Sequence, residues 1–95
     1  MSAYLIANLV VNDREKFSGY ASQVPDIIAK YGGKFIVRGG ELEIIEGDWD
    51  IARLVIIEFP DKTALQQFWS SDDYQGILPL RLTAADSKNM FVDGV

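Results

Sequence analysis

The 95-residue sequence contains neither cysteine nor histidine. Without cysteine there can be no disulfide, no thiolate nucleophile and no cysteine-based metal site. Without histidine the chain lacks the commonest metal ligand, the usual proximal haem ligand and the commonest general base. We therefore expect no metal and no other cofactor, and we find no residue pair that resembles an activated nucleophile and its base.

Basic clusters and long apolar runs are also missing. Fourteen acidic residues outnumber nine basic ones, and the net charge of −5 would repel a nucleic-acid backbone. The longest apolar runs, such as residues 54–57, are far shorter than the roughly 20 residues of a membrane-spanning helix. The N-terminus lacks the pattern of a signal peptide. We expect no nucleic-acid partner, no membrane partner and a cytoplasmic location.

Hydrophobic residues make up 48% of the chain, which is enough to form a core. No linker or low-complexity segment divides the sequence. Its length is close to the common size of one domain. We expect a single domain over residues 1–95.

Segments of apolar and β-branched residues predict the strands. They are residues 3–11, 34–38, 42–46, 51–59 and 87–93. Residues 3–11 and 51–59 are apolar at both odd and even positions, which predicts central strands covered on both faces. Gly39-Gly40 is expected to form a tight hairpin turn between 34–38 and 42–46. A phosphate-binding loop is the alternative, but neither glycine pair of the chain opens a helix after a strand.

Apolar residues at helical spacing predict three helical segments. The first ends at Gly32, a residue suited to a left-handed C-cap, and Pro25 is expected to kink or divide it. The third is expected to bend at Pro79. The expected N-caps, in chain order, are Asn12 or Asp13, then Asp61, and then Asp72 or Asp73.

The order of elements predicts an α+β, ferredoxin-like βαββαβ fold with an antiparallel or mixed sheet. In this arrangement we expect 3–11 and 51–59 to lie side by side at the centre of the sheet, parallel to each other. Both helical arms would cover one face of the sheet. The other face is also apolar, so we expect a homodimer that packs sheet against sheet, with Trp49 as an anchor at its rim. The alternative is a monomer with an exposed apolar sheet, which would be prone to aggregation.

Several blocks resemble the family of the domain of unknown function DUF1330. The matching residues are Tyr31-Gly32-Gly33, Arg38-Gly39-Gly40, Glu58-Phe59-Pro60 and the Ser71–Tyr74 block. Arg81 fits the leucine-arginine pattern of the family, whereas Pro79 departs from it. The resemblance implies a dimeric α+β barrel, a superfamily that includes cofactor-independent monooxygenases, lactone isomerases, haem-degrading enzymes and ligand-binding modules. The absence of histidine argues against the haem-binding branch, and the fold alone does not choose among the others.

Glu58 and Arg38 are the candidate catalytic residues. Glu58 ends an apolar strand, and burial of that face would raise its pKa and suit it to act as a general base. Arg38 could instead form an ion pair with Glu58, or present its planar donor groups to a carboxylate ligand.

Further candidates for ligand contacts lie in a central strand and on the helices. They are Asn8, Tyr20, Tyr31, Trp69, Tyr74 and Arg81, and each could equally be a structural residue. We predict that the protein binds or transforms a small organic molecule, without metal or haem, in a pocket between sheet and helices. A non-catalytic dimeric interaction module is the alternative.

Overall fold

A computed structural model describes all 95 residues. Its elements in chain order are β1 (Ala3–Val11), α1 (Arg14–Lys30), β2 (Lys34–Arg38), β3 (Leu54–Phe59), α2 (Lys62–Ser70), α3 (Asp72–Ala84) and β4 (Ala85–Asp93). The four strands form one sheet in the order β2-β3-β1-β4. This is the predicted α+β, ferredoxin-like fold, and β1 and β3 occupy its centre as expected.

All neighbouring strands are antiparallel, including β1 and β3. The prediction that the two central strands run parallel is therefore wrong. Helix α1 joins β1 to β2 and leaves these two strands running in the same direction. The connection after β2 reverses the chain, so β3 must run opposite to β1.

The helices cover one face of the sheet, here called the helix face. In β1 the odd-numbered residues from Ala3 to Leu9 are buried on this face, and the even-numbered residues lie on the open face. The helix face of β3 contributes Val55, Ile57 and Phe59. The helices complete the core with Val24, Ile28, Leu65, Phe68, Tyr74 and Ile77. Each large apolar side chain buried in this way stabilises the fold by about 1.5–3 kcal/mol.

The N-caps of α1 and α2 and the end of α1 agree with the predictions. Asp13 caps α1 by accepting from the Lys16 amide, and Asp61 caps α2 by accepting from the Ala64 amide. Gly32 follows α1 with φ of +82°, the left-handed conformation that glycine adopts at helix ends.

One expectation about the N-caps is not met, and one of the two alternatives for Pro25 is excluded. The N-cap of α3 is Ser71, whose hydroxyl accepts from the Tyr74 amide, rather than Asp72 or Asp73. Pro25 does not divide the first helix, because α1 continues past it to Lys30. Pro79 likewise lies inside α3. No helix has the length and apolar character needed to cross a membrane.

The predicted strand over 42–46 is absent. Residues 39–53 form a loop between β2 and β3, and several of its apolar side chains are exposed, with Ile45 at 84%. The position beside β2 is taken by β3, which begins at Leu54 rather than residue 51. The Gly39 amide donates to the Leu54 carbonyl at 2.8 Å and closes the base of the loop.

Candidate functional site

A cavity of about 60 Å³ lies between the helix face of the sheet and α1 and α3. Twelve of its sixteen lining residues are hydrophobic. The lining residues are Leu5, Ala7, Leu9, Phe17, Tyr20, Ala21, Val24, Ile28, Phe35, Arg38, Arg53, Val55, Ile57, Tyr74, Arg81 and Asn89. Four of the predicted site residues, Arg38, Tyr20, Tyr74 and Arg81, are among them.

A β-bulge directs Arg38 towards the cavity. Phe35 pairs with Ile57 and Val37 pairs with Ile56, so the register shifts by one residue between them. Without this shift, Phe35 and Arg38 would lie on opposite faces, because side chains alternate along a strand. With it, both lie on the helix face, and the Arg38 guanidinium stands 4.3 Å from the centre of the Phe35 ring. The bulge therefore re-aims one charged side chain, as bulges near functional sites often do.

Arg53 is a second exposed arginine at the cavity. It packs over Gly39, where a side-chain Cβ would lie 2.8 Å from the Arg53 guanidinium carbon. Gly39 also has φ of +67°, which disfavours any other residue. The first residue of the second glycine pair thus leaves space for an arginine beside the cavity, and the tight hairpin expected there does not form.

Five polar side chains form a hydrogen-bonded series from α1 through α3 to β4. We call it the polar chain: Tyr20, Tyr74, Arg81, Ser87 and Asn89. The Tyr20 and Tyr74 hydroxyls are 3.0 Å apart, and Arg81 Nη2 donates to the Tyr74 oxygen at 3.3 Å. Arg81 Nη1 donates to Ser87 Oγ, and Asn89 Nδ2 donates to the same oxygen at 3.2 Å.

Arg81 is the charged residue of the core. It is only 4% exposed, and its Nε has no hydrogen-bond partner. The salt bridges of the structure join Lys30 to Asp73, Lys34 to Glu58 and Lys62 to Asp93, so no carboxylate pairs with Arg81. Its guanidinium carbon instead lies 5.8 Å from the ring centres of both Tyr20 and Trp69. A buried cation normally has an anionic partner, because removing an unpaired charge from water is costly.

Tyr20 remains protonated across the ordinary pH range. Burial raises the pKa of its hydroxyl, and the neighbouring Tyr74 raises it further, while Arg81 lowers it to a smaller extent. The hydroxyl of Tyr20 is therefore available as a neutral hydrogen-bond donor beside the cavity.

Glu58 lies on the open face of the sheet, away from the cavity. Its carboxylate accepts from the Tyr4 hydroxyl at 3.1 Å and lies 3.3 Å from Lys34 Nζ. These contacts, with Tyr4 first, lower the pKa of Glu58. The pKa of Glu58 is thus not raised as that of a buried general base would be. Of the two alternatives for Arg38, the ion pair with Glu58 does not form, because the bulge places Arg38 on the opposite face.

The remaining candidates lie outside the cavity. Asn8 on the open face donates to the Asp50 carbonyl at 2.9 Å and accepts from the Ala52 amide at 3.0 Å, so it anchors the 39–53 loop. Tyr31 packs edge-on against Phe68. The ring centres of Trp69 and Tyr74 are 5.2 Å apart, so Trp69 packs against one member of the polar chain. No group of three acidic side chains comes together as a possible metal site.

The sequence predictions missed Arg53, Ser87 and Asn89. Arg53 lies two residues before the buried Val55 and four before the buried Ile57. Because side chains alternate along a strand, extending the alternation of β3 back to Arg53 would have placed it on the helix face. Ser87 and Asn89 share the parity of Phe91. Polar residues at core-facing positions of a strand are the pattern that could have identified them.

Residues 2–95 match the protein family described as domain of unknown function DUF1330. The chain belongs to this family. The match covers almost the whole sequence and includes the blocks around Tyr31, Arg38 and Glu58. No curated protein matches the sequence.

Solved structures share the α+β, ferredoxin-like fold of this DUF1330 protein. A protein of unknown function from Rhodopseudomonas palustris is 19% identical, with a TM-score of 0.76 over 99% of this chain and 82% of that chain. SnoaB, a cofactor-independent oxygenase from Streptomyces nogalater, is 13% identical, with a TM-score of 0.70 over 99% and 93%. An antibiotic biosynthesis monooxygenase is 13% identical, with a TM-score of 0.56 over 100% and 99%. At these identities the similarity is one of fold.

Proposed function

We propose that this protein binds a small organic molecule in the cavity between the sheet and helices α1 and α3, without metal or haem. The observation that carries the proposal is the cavity itself, in which apolar walls surround the inner end of the polar chain. Mostly apolar concavities with a few convergent polar groups are the usual form of small-molecule sites.

Entry of a ligand requires side chains at the cavity to move. A volume of about 60 Å³ is well below the roughly 150 Å³ of a cavity that holds benzene. Arg38 and Arg53 are both exposed, and their long side chains can swing outward without disturbing the core. We therefore expect a ligand to enter past these two arginines.

Transformation of the bound molecule belongs to the same proposal. The shared fold with SnoaB, a cofactor-independent oxygenase, supports it but does not identify a reaction. Glu58 is not placed to act on a ligand in the cavity, so Arg38 and the hydroxyls of Tyr20 and Tyr74 are the chemical groups that would contact it.

Thermal-shift screening with a metabolite library, followed by calorimetric titration of the hits, tests the proposal. Ala21 lines the cavity, and Ala21→Leu should fill part of it and weaken every hit. Glu58→Gln is the control on the opposite face and should leave affinities unchanged, whereas Arg38→Ala should alter them. If Ala21→Leu binds the hits as tightly as wild type, the ligand occupies another place and the proposal fails.

We also infer that the open face is covered by a second copy of the chain. Helices cover only one face, and the open face exposes Val10, Met90 and Val92 on two adjacent strands, with Met90 at 59%. Sheet-against-sheet packing would bury this apolar surface. Sedimentation velocity at micromolar concentration should give a dimer for wild type and a monomer for Met90→Lys. A stable wild-type monomer contradicts the inference.

A non-catalytic dimeric interaction module is the second candidate. The exposed apolar side chains of the 39–53 loop support it, because Ile45 and Trp49 are 84% and 64% exposed. This candidate predicts no ligand in the screen and binding of a protein partner that a loop variant, Ile45→Ser, abolishes. Either function is proposed to operate in the cytoplasm, which cell fractionation tests.

A further inference from the structure

We propose that the ligand of the cavity is a carboxylate, held by Arg81 and the tyrosine hydroxyls of the polar chain. The inference rests on the proposed function and names the chemical class of its ligand. Three independent features carry it, namely the distribution of charge, the count of hydrogen-bond donors and the shape of the guanidinium group.

Charge is distributed unevenly between the cavity and the rest of the chain. The sequence has fourteen acidic residues and a net charge of −5. Nevertheless the cavity lining contains three arginines, Arg38, Arg53 and Arg81, and no acidic residue. Arg14 is the only arginine of the sequence that lies elsewhere. A cavity with three cations and no anion attracts an anionic molecule.

The polar chain has more donors than acceptors. Arg81 Nη2 donates to Tyr74, so one of the two tyrosine protons lies between Tyr20 and Tyr74 and the other has no acceptor. Ser87 accepts from both Arg81 and Asn89, which leaves its own proton without an acceptor. Arg81 Nε is buried and unpaired. The chain contains no carboxylate, and its remaining acceptor capacity lies on hydroxyl oxygens and on the amide oxygen of the exposed Asn89.

The buried, unpaired Nε of Arg81 and the unpaired hydroxyl protons beside it predict a ligand rich in acceptors. Leaving a buried donor unpaired costs about 1–3 kcal/mol, more for a charged group, and a ligand oxygen would recover that free energy. An ionised carboxylate supplies two acceptor oxygens and a negative charge in one planar group. The planar guanidinium group matches this geometry, and the Nε of Arg81 belongs to its donor edge. The apolar lining then receives the hydrocarbon part of the molecule.

Matched pairs of acids and amides test the ligand class. Butyrate, benzoate and phenylacetate are compared with butyramide, benzamide and phenylacetamide, which have nearly the same shape but no charge. Affinity is measured by calorimetry at constant ionic strength, and inorganic phosphate serves as a different anion. We expect each acid to bind at least about tenfold more tightly than its amide, because hydrogen bonds to charged groups are worth about 1.5–3 kcal/mol.

Two arginine variants test whether Arg81 is the residue that recognises the carboxylate. Arg81→Met keeps an unbranched apolar side chain in place of the aliphatic part of arginine and removes the guanidinium group, so the preference for acid over amide should fall to about that of a neutral site while amides still bind. Arg14→Met removes an arginine outside the cavity lining and should keep the full preference. If Arg81→Met does not fold, Tyr20→Phe decides the question: it removes a hydroxyl of the proposed carboxylate contacts, so its acid-to-amide ratio should fall, and an unchanged ratio overturns the assignment.

The outcomes separate this inference from the proposed function. Amides that bind as tightly as their acids overturn the carboxylate assignment and leave a small-molecule site in place. Phosphate that binds more tightly than every acid also overturns it. If neither acids, amides nor any library compound binds, the proposed function itself fails. An acid preference that survives unchanged in Arg81→Met removes Arg81 from the site.

Discussion

Replacement of Gly33 by alanine should destabilise the protein through overpacking. Gly33 follows α1 and lies against the core, where its amide donates to the Ile28 carbonyl at 2.9 Å. A Cβ on Gly33 would lie 2.7 Å from Cε1 of Phe59 and 2.8 Å from Cγ2 of Ile28. Carbon atoms in favourable contact are about 3.5–4.0 Å apart, so one or both side chains must shift by roughly 1 Å.

Neither side chain has room for that shift. Phe59 is 0% exposed and Ile28 is 1% exposed, and the Phe59 ring is held 5.2 Å from the Phe68 ring. Inserting one carbon into a close-packed core typically costs about 1–3 kcal/mol. For a domain of this size, each kcal/mol lowers Tm by about 4–8 °C, so Gly33→Ala should lower Tm by roughly 4–24 °C.

Gly40→Ala is the matched control from the second glycine pair. A Cβ on Gly40 meets no atom within 4 Å, and its φ lies outside the left-handed region. Differential scanning calorimetry of wild type and both variants at one protein concentration makes the comparison, since Tm of an oligomer depends on concentration. We expect Gly40→Ala to change Tm little. If Gly33→Ala melts within about 2 °C of Gly40→Ala, the packing around Phe59 is not as close as described.

The remaining predictions concern Tyr20, Glu58 and Asn8. The raised pKa of Tyr20 contributes stability that is present below its ordinary value of 10.0 and is lost as pH rises above it; Tyr20→Phe should flatten the alkaline limb of Tm against pH, and an unchanged limb contradicts the assignment. The lowered pKa of Glu58 contributes stability that is present above its ordinary value of 4.5 and is lost as pH falls; Glu58→Gln should flatten the acid limb, and an unchanged limb would argue against the contact with Tyr4. Asn8→Ala removes the exposed hydrogen bond that the Ala52 amide donates and should cost about 0.5–1.5 kcal/mol. Limited proteolysis should then cut the 39–53 loop faster than in wild type, and equal rates would show that Asn8 does not anchor it.

The periodicity of apolar residues, together with the glycine and polar residues that end each segment, was sufficient to predict most of the fold. Strand β2 was predicted with the bounds that it has, because Gly32-Gly33 and Gly39-Gly40 delimit it on both sides. The bounds of β1 were also correct, since its apolar run is long and ends at polar residues. These features are local, and local features are what a sequence pattern reports.

The errors arose where two segments compete for one place. Residues 42–46 have the composition of a strand, but the place between β2 and β1 is occupied by residues 54–59. Their apolar residues on both parities suit a central position, which the polar alternation of 42–46 does not. Such competition depends on the whole sheet, so the composition of residues 42–46 alone could not reveal it.

The site residues on helices were predictable from the sequence, whereas those on strands were predictable only in part. Helical spacing placed Tyr20 and Tyr74 towards the sheet and left Arg81 open between an inward and a surface position, and the structure brings all three together at the cavity. Glu58 was misplaced because a strand alternates, and its neighbours Ile57 and Phe59 already occupy the helix face. Arg38 reaches that face only through a one-residue bulge, and no composition rule predicts where a bulge falls.

We interpret the unpaired charge of Arg81 as a feature that destabilises the free protein and leaves the guanidinium group available to a ligand. A chain with fourteen acidic residues could place one beside Arg81, and doing so would satisfy the guanidinium group permanently. A permanent partner would also fill the position that an anionic ligand would take. Buried groups left unsatisfied in the free protein gain their partners only on binding, so a ligand that supplies two oxygens should raise Tm as well as bind. The same reasoning predicts that Arg81→Met loses less stability than removal of a buried paired arginine, for which about 3–5 kcal/mol is typical. A loss of that full size in the absence of ligand would show that Arg81 is structural, and the ligand class inferred from it would have to be abandoned.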